Sequence, residues 1–279
     1  MFMRGAPQNR RVSPSAADRQ AAARLLAPLT DLVARAGRAI LAVDRKAMSV
    51  AGKRDGSPVT DADLASDRII AEGLAMIAPD VPVVSEERPS AGLSSSTFFL
   101  VDPLDGTKEF IAGRGEFTVN IAMVVHGTPI LGLIGAPALG LTWRGIVGQG
   151  AERLSTGTAG GSSAIHTRPL PTSGEPWVAA VSRSHFDALT EAFIDARPGA
   201  VRQALGSAVK FAHVAEGLAD IYPRLAPTHE WDVAAGCALV TAAGGKITDP
   251  QGGELRFGQA EASFVVPAFI AWGDPNAAP

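Results

Sequence analysis

Apolar residues recur at helical spacing over 18–43, at Leu25, Leu29, Leu32, Val33, Ala36 and Ile40, which predicts an amphipathic helix. Thr60-Asp61-Ala62-Asp63 carries the signature of a helix start, and Leu64, Ile69, Ile70, Leu74 and Ile77 continue it to a stop at Pro79. Short apolar runs at 81–85 and 98–101 read as buried strands that end at acids. Further strands are expected at 119–125, 130–136 and 141–147, the first two joined by a turn at Gly127-Thr128-Pro129. The stretch 148–174 is rich in Gly, Ser and Thr and reads as a junction.

Beyond the junction the pattern alternates: strand 177–181, helix 185–195, strand 201–205, helix 208–217, strand 220–222, helix 231–243, strands 245–248 and 263–266. Such alternation favours sheets layered with helices. It divides the chain into a flexible tail (1–17), a first α+β domain (18–160) and a second α/β domain (161–279).

Composition narrows the function classes. Of 279 residues, 46% are hydrophobic and 19% charged, as in ordinary globular proteins. The net charge of −3 gives no basic field for nucleic acid, the basic residues are scattered, and there are only four Trp and one Tyr. An anionic substrate must therefore meet local cations or metal ions. The lone cysteine, Cys237, rules out an intrachain disulfide and reads as an inert buried thiol. No run approaches 18 apolar residues, so no transmembrane helix is expected. The tail has three arginines, two prolines and no acid, and lacks an apolar signal core.

The informative residues are acids at strand ends: Glu86 and Glu87, then Asp102 and Asp105, with Asp63 and Asp232 at predicted helix starts. A carboxylate there is costly unless paired or bound to metal, and several hard oxygen ligands suit Mg²⁺, the ion of phosphate chemistry. Asp102-Pro103-Leu104-Asp105 offers two carboxylates and a carbonyl, Gly106 permits close backbone approach, and the amides of Gly106 and Thr107 suit phosphate oxygens.

Four stretches in order, 55–63, 84–87, 101–107 and 231–236, resemble the inositol monophosphatase superfamily over about 25–266. The resemblance is nearest to its CysQ-type 3'(2'),5'-bisphosphate nucleotidases, through Lys108-Glu109-Phe110-Ile111, Gly115-Glu116-Phe117-Thr118, Ser182-Arg183-Ser184-His185, Gly206-Ser207, Lys210-Phe211, Ala215-Glu216-Gly217 and Tyr222-Pro223-Arg224. It departs at Ala208, where the group commonly has a second serine.

The resemblance implies a layered α/β/α/β/α sandwich and hydrolysis of adenosine 3',5'-bisphosphate to AMP and phosphate. It implies two or three Mg²⁺ ions held by Glu86, Asp102, Asp105 and Asp232 with the Leu104 carbonyl, and lithium sensitivity. Asp63 and Thr107, with Glu86, would serve catalysis by orienting the attacking water. Gly106, Thr107, His185, Ser207, Lys210, Arg224 and Asp232 would hold the substrate. It further implies a cytoplasmic enzyme of sulfur metabolism, monomer or homodimer, with no nucleic-acid partner; peripheral association at the inner face of the membrane stays open. Other phosphomonoesterases of the superfamily and a non-catalytic phosphate sensor on the same scaffold are the competing readings.

Overall fold

Strands that are apolar at every position must be covered on both faces, and the central strands of this protein alternate between two cores. Phe98, Leu100, Ala122, Val124, Ile134 and Ala136 enter one core. Their neighbours Phe99, Val101, Ile121, Met123, Leu131 and Leu133 enter the other. The structure is a computed structural model that describes residues 13–52, 58–88, 93, 95–155, 161–172, 174–184, 187–197 and 199–279. His185 and the first twelve residues of the expected tail lie outside the described residues.

In chain order the elements are α1 (Ala16–Ala42), β1 (Val50–Gly52), β2 (Pro58–Thr60), α2 (Asp61–Ile77), β3 (Val83–Ser85), β4 (Thr97–Asp105), α3 (Thr107–Ile111), β5 (Thr118–Val125), β6 (Thr128–Ala136), β7 (Leu141–Ile146), β8 (Gly150–Ser155) and β9 (Ser162–Ile165). Then follow β10 (Val178–Ser182), α4 (Ala188–Asp195), β11 (Val201–Leu205), α5 (Val209–Ala215), β12 (Ile221–Arg224), β13 (Thr228–His229), α6 (Glu230–Ala242), β14 (Lys246–Thr248), β15 (Val265–Val266) and β16 (Phe269–Trp272).

A seven-stranded sheet runs β3 to β9 in order, and a five-stranded sheet has the order β11-β10-β12-β16-β14. The first is antiparallel except for the β3–β4 pair. Helices α1 and α2 cover its outer face. Helices α5 and α6 fill the space between the sheets, α6 lying against β5 and β6 on one side and β14 and β16 on the other. Ile194 of α4 packs with Ile221, Ile270 and Trp272 on the far face of the second sheet. The layers are therefore α/β/α/β/α, as the resemblance implied.

Several boundaries differ from the sequence expectation. Helix α1 starts at Ala16, because Ser15 and Asp18 form a capping box. The β5–β6 turn is His126-Gly127, both with positive φ (50° and 75°), so Thr128 and Pro129 already belong to β6. The expected helix at 185 begins instead at Ala188, capped by Asp187. The junction stretch carries β8 and β9, which extend the first sheet: β8 is half-buried between β7 and β9, and β9 is the mostly exposed edge strand. Strand β16 is an addition to the expected elements. Cys237 is half-buried, and burial pushes its thiol up to about 12, so it stays protonated.

Candidate active site

The acidic turn owes its geometry to a β-bulge. Opposite β5, Asp102 pairs with Asn120 and Asp105 with Thr118, so three residue steps on β4 face two on β5. Before the bulge, Phe98 and Leu100 face the inter-sheet core, and Asp102 falls in that phase. The extra residue reverses the parity: the Leu104 side chain drops into the outer core. Ser66 of α2 anchors the bulge with a 2.7 Å bond from its hydroxyl to the Pro103 carbonyl. Asp102 accepts the Leu104 amide at 3.1 Å. Gly106 then turns the chain into α3 with φ +92°, where a Cβ would press on Glu116 and Phe117.

Glu86 reaches the same place along the parallel β3–β4 pair: its amide donates to the Val101 carbonyl at 3.1 Å. Asp67 fixes that loop, accepting the Ser85 hydroxyl at 2.8 Å and the Arg88 guanidinium at 2.7 and 3.0 Å. Asp232 arrives from the inter-sheet layer in the first turn of α6, where it accepts the His229 amide at 3.2 Å and the Thr228 hydroxyl. Asp63 is 1% exposed and lies behind this wall. Its Oδ2 takes the amide and hydroxyl of Thr60 at 2.7 and 2.6 Å, and its Oδ1 takes the Thr107 hydroxyl at 3.0 Å. The Leu104 carbonyl stands 3.3 Å from the same hydroxyl.

The second half supplies hydroxyls and cations. Ser207 has φ +53° and donates its hydroxyl to Asp105 Oδ2 at 2.7 Å. Lys210 is 4% exposed; its Nζ donates to the Ser207 carbonyl at 2.5 Å and stands 5.3 Å from the Tyr222 ring centroid. Arg224 is half-buried and donates to the Pro227 carbonyl at 3.3 Å.

Of the expected site residues that are described, all but Asp63 line one cavity of about 350 Å³: Glu86, Asp102, Leu104, Asp105, Gly106 and Thr107 on one side, Ser207, Lys210, Arg224 and Asp232 on the other. Ala208, the departure from the group, also lines it. Sequence reasoning did not assign His229 or Trp231 to the wall. The His229 ring stacks on Trp231, 4.7 Å between centroids and 8° from parallel. Glu87, the second acid of the pair, does not reach the cavity.

Electrostatics mark the site. Burial, then the charges of Glu86, Asp105 and Asp232, push Asp102 well above the usual carboxylate range. Burial and Asp232 raise Asp105, against the pull of Lys210, Ser207 and Arg224. Burial lowers Lys210 to about 8, although Asp105, Glu109 and Asp232 favour its charge. Crowded carboxylates raised in this way are those a divalent cation would relieve. Among the described residues no three acidic, His or Cys side chains close on a point as a finished metal cage. The acids instead line an open wall, which fits Mg²⁺, an ion that keeps waters and shares substrate phosphate oxygens.

Comparison with known proteins gives the family. Residues 21–273 match the model of the inositol monophosphatase family. The 3'(2'),5'-bisphosphate nucleotidase CysQ of Escherichia coli (strain K12) is 41% identical over 250 residues, covering 88% of this chain and 98% of its own length. The protein of that name from Salmonella typhimurium is 40% identical over 250 residues, with the same coverage. Among solved structures, CysQ from Bacteroides thetaiotaomicron, described as a bacterial member of the inositol monophosphatase family, superposes with a TM-score of 0.71 at 33% identity, over 91% of this chain and 97% of that one. The extragenic suppressor protein suhB from Bartonella henselae superposes with a TM-score of 0.73 at 26% identity, over 90% and 94%.

Proposed function

The chain belongs to the inositol monophosphatase family, and we propose that it is a Mg²⁺-dependent 3'(2'),5'-bisphosphate nucleotidase that hydrolyses adenosine 3',5'-bisphosphate to AMP and phosphate. The observation that carries this reading is the pairing, in one cavity, of an acidic wall from β4 with Lys210 and Arg224 from the second half. A substrate with one phosphate needs only the first; a bisphosphate uses both. The CysQ relatives bear the corresponding name.

Glu86, Asp102, Asp105, Asp232 and the Leu104 carbonyl are the groups that would hold two or three Mg²⁺ ions. When bound, these ions supply positive charge against the phosphate oxygens and make water more acidic. Thr107 gives its single hydroxyl proton to Asp63, 3.0 Å away. That leaves its lone pairs to accept from an attacking water, and Asp63 behind it accepts the displaced proton. Thr60 holds Asp63 in place through two bonds, so the pair is oriented before substrate arrives. The amides of Gly106 and Thr107 serve the reacting phosphate. Ser207, Lys210 and Arg224 take the second phosphate and the ribose, where the planar guanidinium of Arg224 suits two oxygens at once. His185, beyond the described residues, is assigned to the nucleotide by resemblance alone.

No helix among the described residues is long and apolar enough to cross a membrane. A small diffusible nucleotide as substrate fits a cytoplasmic enzyme that clears a by-product of sulfate assimilation. The experiment is phosphate release from adenosine 3',5'-bisphosphate, inositol 1-phosphate and other phosphomonoesters, in Mg²⁺, with and without Li⁺. Fast, chelator-sensitive, lithium-sensitive release from the bisphosphate is expected. Preference for inositol 1-phosphate would make the protein a different phosphatase of the same family, and no release from any ester would leave the sensor reading.

A further inference from the structure

Three stretches far apart in sequence meet just outside the cavity, through contacts the hydrolysis itself does not use. Glu116, in the loop before β5, accepts the Gly206 amide on Oε2 at 2.8 Å. Both its oxygens accept from Arg183 Nη2 at 2.8 Å, and Oε2 also accepts from Nε at 3.2 Å. The same Arg183 nitrogen donates to the Ala204 carbonyl at 2.8 Å, and the Arg183 amide donates to the Leu205 carbonyl at 3.1 Å. Beside them the Ser184 hydroxyl bonds the buried Glu109. Neither Glu116 nor Arg183 lines the cavity.

The contact is close enough to dictate residue type. A Cβ on Gly206 would sit 2.5 Å from the Glu116 carbonyl oxygen and 2.9 Å from its Cβ. The next residue, Ser207, is held in the left-handed region at φ +53°, which an L side chain rarely chooses unaided. An imposed conformation of this kind persists only where surrounding bonds over-determine it. Here it aims two atoms into the site: the Ser207 hydroxyl at Asp105, 2.7 Å away, and the Ser207 carbonyl at Lys210 Nζ, 2.5 Å away.

As an ion pair, Arg183–Glu116 has little reason to exist for stability. The two side chains are 36% and 24% exposed, and pairs so open to water contribute little. What a bidentate fork plus a backbone donor supplies is direction. We propose that Glu116, oriented by Arg183, is a positioning residue that sets the Gly206-Ser207 turn and so gives the cavity its preference for a substrate with a second phosphate. This rests on the reading of Ser207 and Lys210 as contacts to that phosphate. Without the Glu116 carboxylate the Gly206 amide loses its anchor, Ser207 relaxes toward negative φ, and its carbonyl no longer holds the Lys210 head. The β4 bulge keeps its anchor at Ser66 and the Glu86 loop its anchor at Asp67. Asp105 loses the Ser207 hydroxyl but keeps the Asn120 amide at 3.4 Å, a loss that both substrates share and that leaves their ratio to report the second phosphate.

The test compares wild type with Glu116→Ala, Glu116→Gln, Arg183→Ala and the double variant Glu116→Ala/Arg183→Ala, in Mg²⁺. Steady-state kcat and KM are measured on adenosine 3',5'-bisphosphate and on adenosine 2'-monophosphate, with thermal midpoints to check folding. In Glu116→Ala the ratio of the two kcat/KM values should fall about tenfold, chiefly through KM on the bisphosphate. Glu116→Gln can still accept the Gly206 amide and should lose less. The double variant should be no worse than Glu116→Ala, because the two residues act as one unit. Should Glu116→Ala fail to fold, the near-isosteric Glu116→Gln and Arg183→Ala decide on the same ratio. Equal losses on both substrates, or an unchanged ratio in folded variants of a selective wild type, would overturn the role of Glu116 alone. A wild type with no preference for the bisphosphate would remove the nucleotidase reading and this inference with it.

Discussion

Replacing Lys210 by Met should trade function for stability, by amounts the structure sets. Lys210 is 4% exposed, and burial lowers its ammonium from 10.5 to about 8. For a base whose folded pKa lies below its unfolded value, the cost of holding the charge is full below the folded pKa and is relieved as pH rises toward the unfolded one. At about 1.4 kcal/mol per unit, that cost is roughly 3 kcal/mol at pH 7 and falls by about 2 kcal/mol by pH 9.5. Methionine fills similar space without charge. It forfeits the bond to the Ser207 carbonyl and the approach to Tyr222, together about 1–2 kcal/mol. The metal-free variant should thus be about 1–2 kcal/mol more stable than wild type at pH 7. Its kcat/KM on adenosine 3',5'-bisphosphate should fall about tenfold to a hundredfold. Urea unfolding in chelator at pH 7 and 9.5 reads both stability terms. Wild type should gain on the Lys210→Met variant in stability by about 2 kcal/mol between the two pH values. A variant that is destabilised at pH 7, with the same pH response as wild type, would refute the reasoning.

Three further outcomes are expected. Asp105→Asn keeps volume but removes a metal-facing charge, so turnover should nearly vanish while circular dichroism stays native and the thermal shift given by Mg²⁺ shrinks. Thr107→Val removes the hydroxyl that links Asp63 to the reacting water; kcat should drop about a hundredfold or more with KM little changed, read by phosphate release. Arg224→Ala should cut kcat/KM on the bisphosphate by about tenfold to a hundredfold and on a 2'-monophosphate much less, checked by parallel assays on folded protein.

Much of the fold could be read from local chemistry. Strands β4, β5 and β6 are continuous apolar runs because both faces are buried, and Thr60-x-x-Asp63 caps α2 as written. The acids stood out because a buried strand ending in a carboxylate is expensive without a partner. Strands β8 and β9 were hidden for the opposite reason. In these last two strands of the sheet only Ala151 and Ile165 are buried, so no apolar run marks them, and the surrounding Gly, Ser and Thr make the stretch read as a loop. The bulge between Asp102 and Asp105 leaves no trace in composition; it exists only relative to β5. Glu116 and Gly206 are 90 residues apart, and only the folded chain puts one on the other. The burial of Lys210 likewise depends on Tyr222 and the second sheet rather than on its own helix.

Helix α6 lies between two sheets with no slack. A methyl added at Gly132 of β6 would land 2.2 Å from the Ala235 carbonyl, and one added at Gly236 would land 2.2 Å from the Phe211 ring. The first turn of that same helix carries Asp232. In a loss-of-function screen, a single methyl at either glycine would therefore be scored alongside the acids themselves, although neither residue has a functional group to offer. A map of inactivating alleles would outline the helix that carries an active-site acid as faithfully as the site itself, and genetics alone would not separate the two.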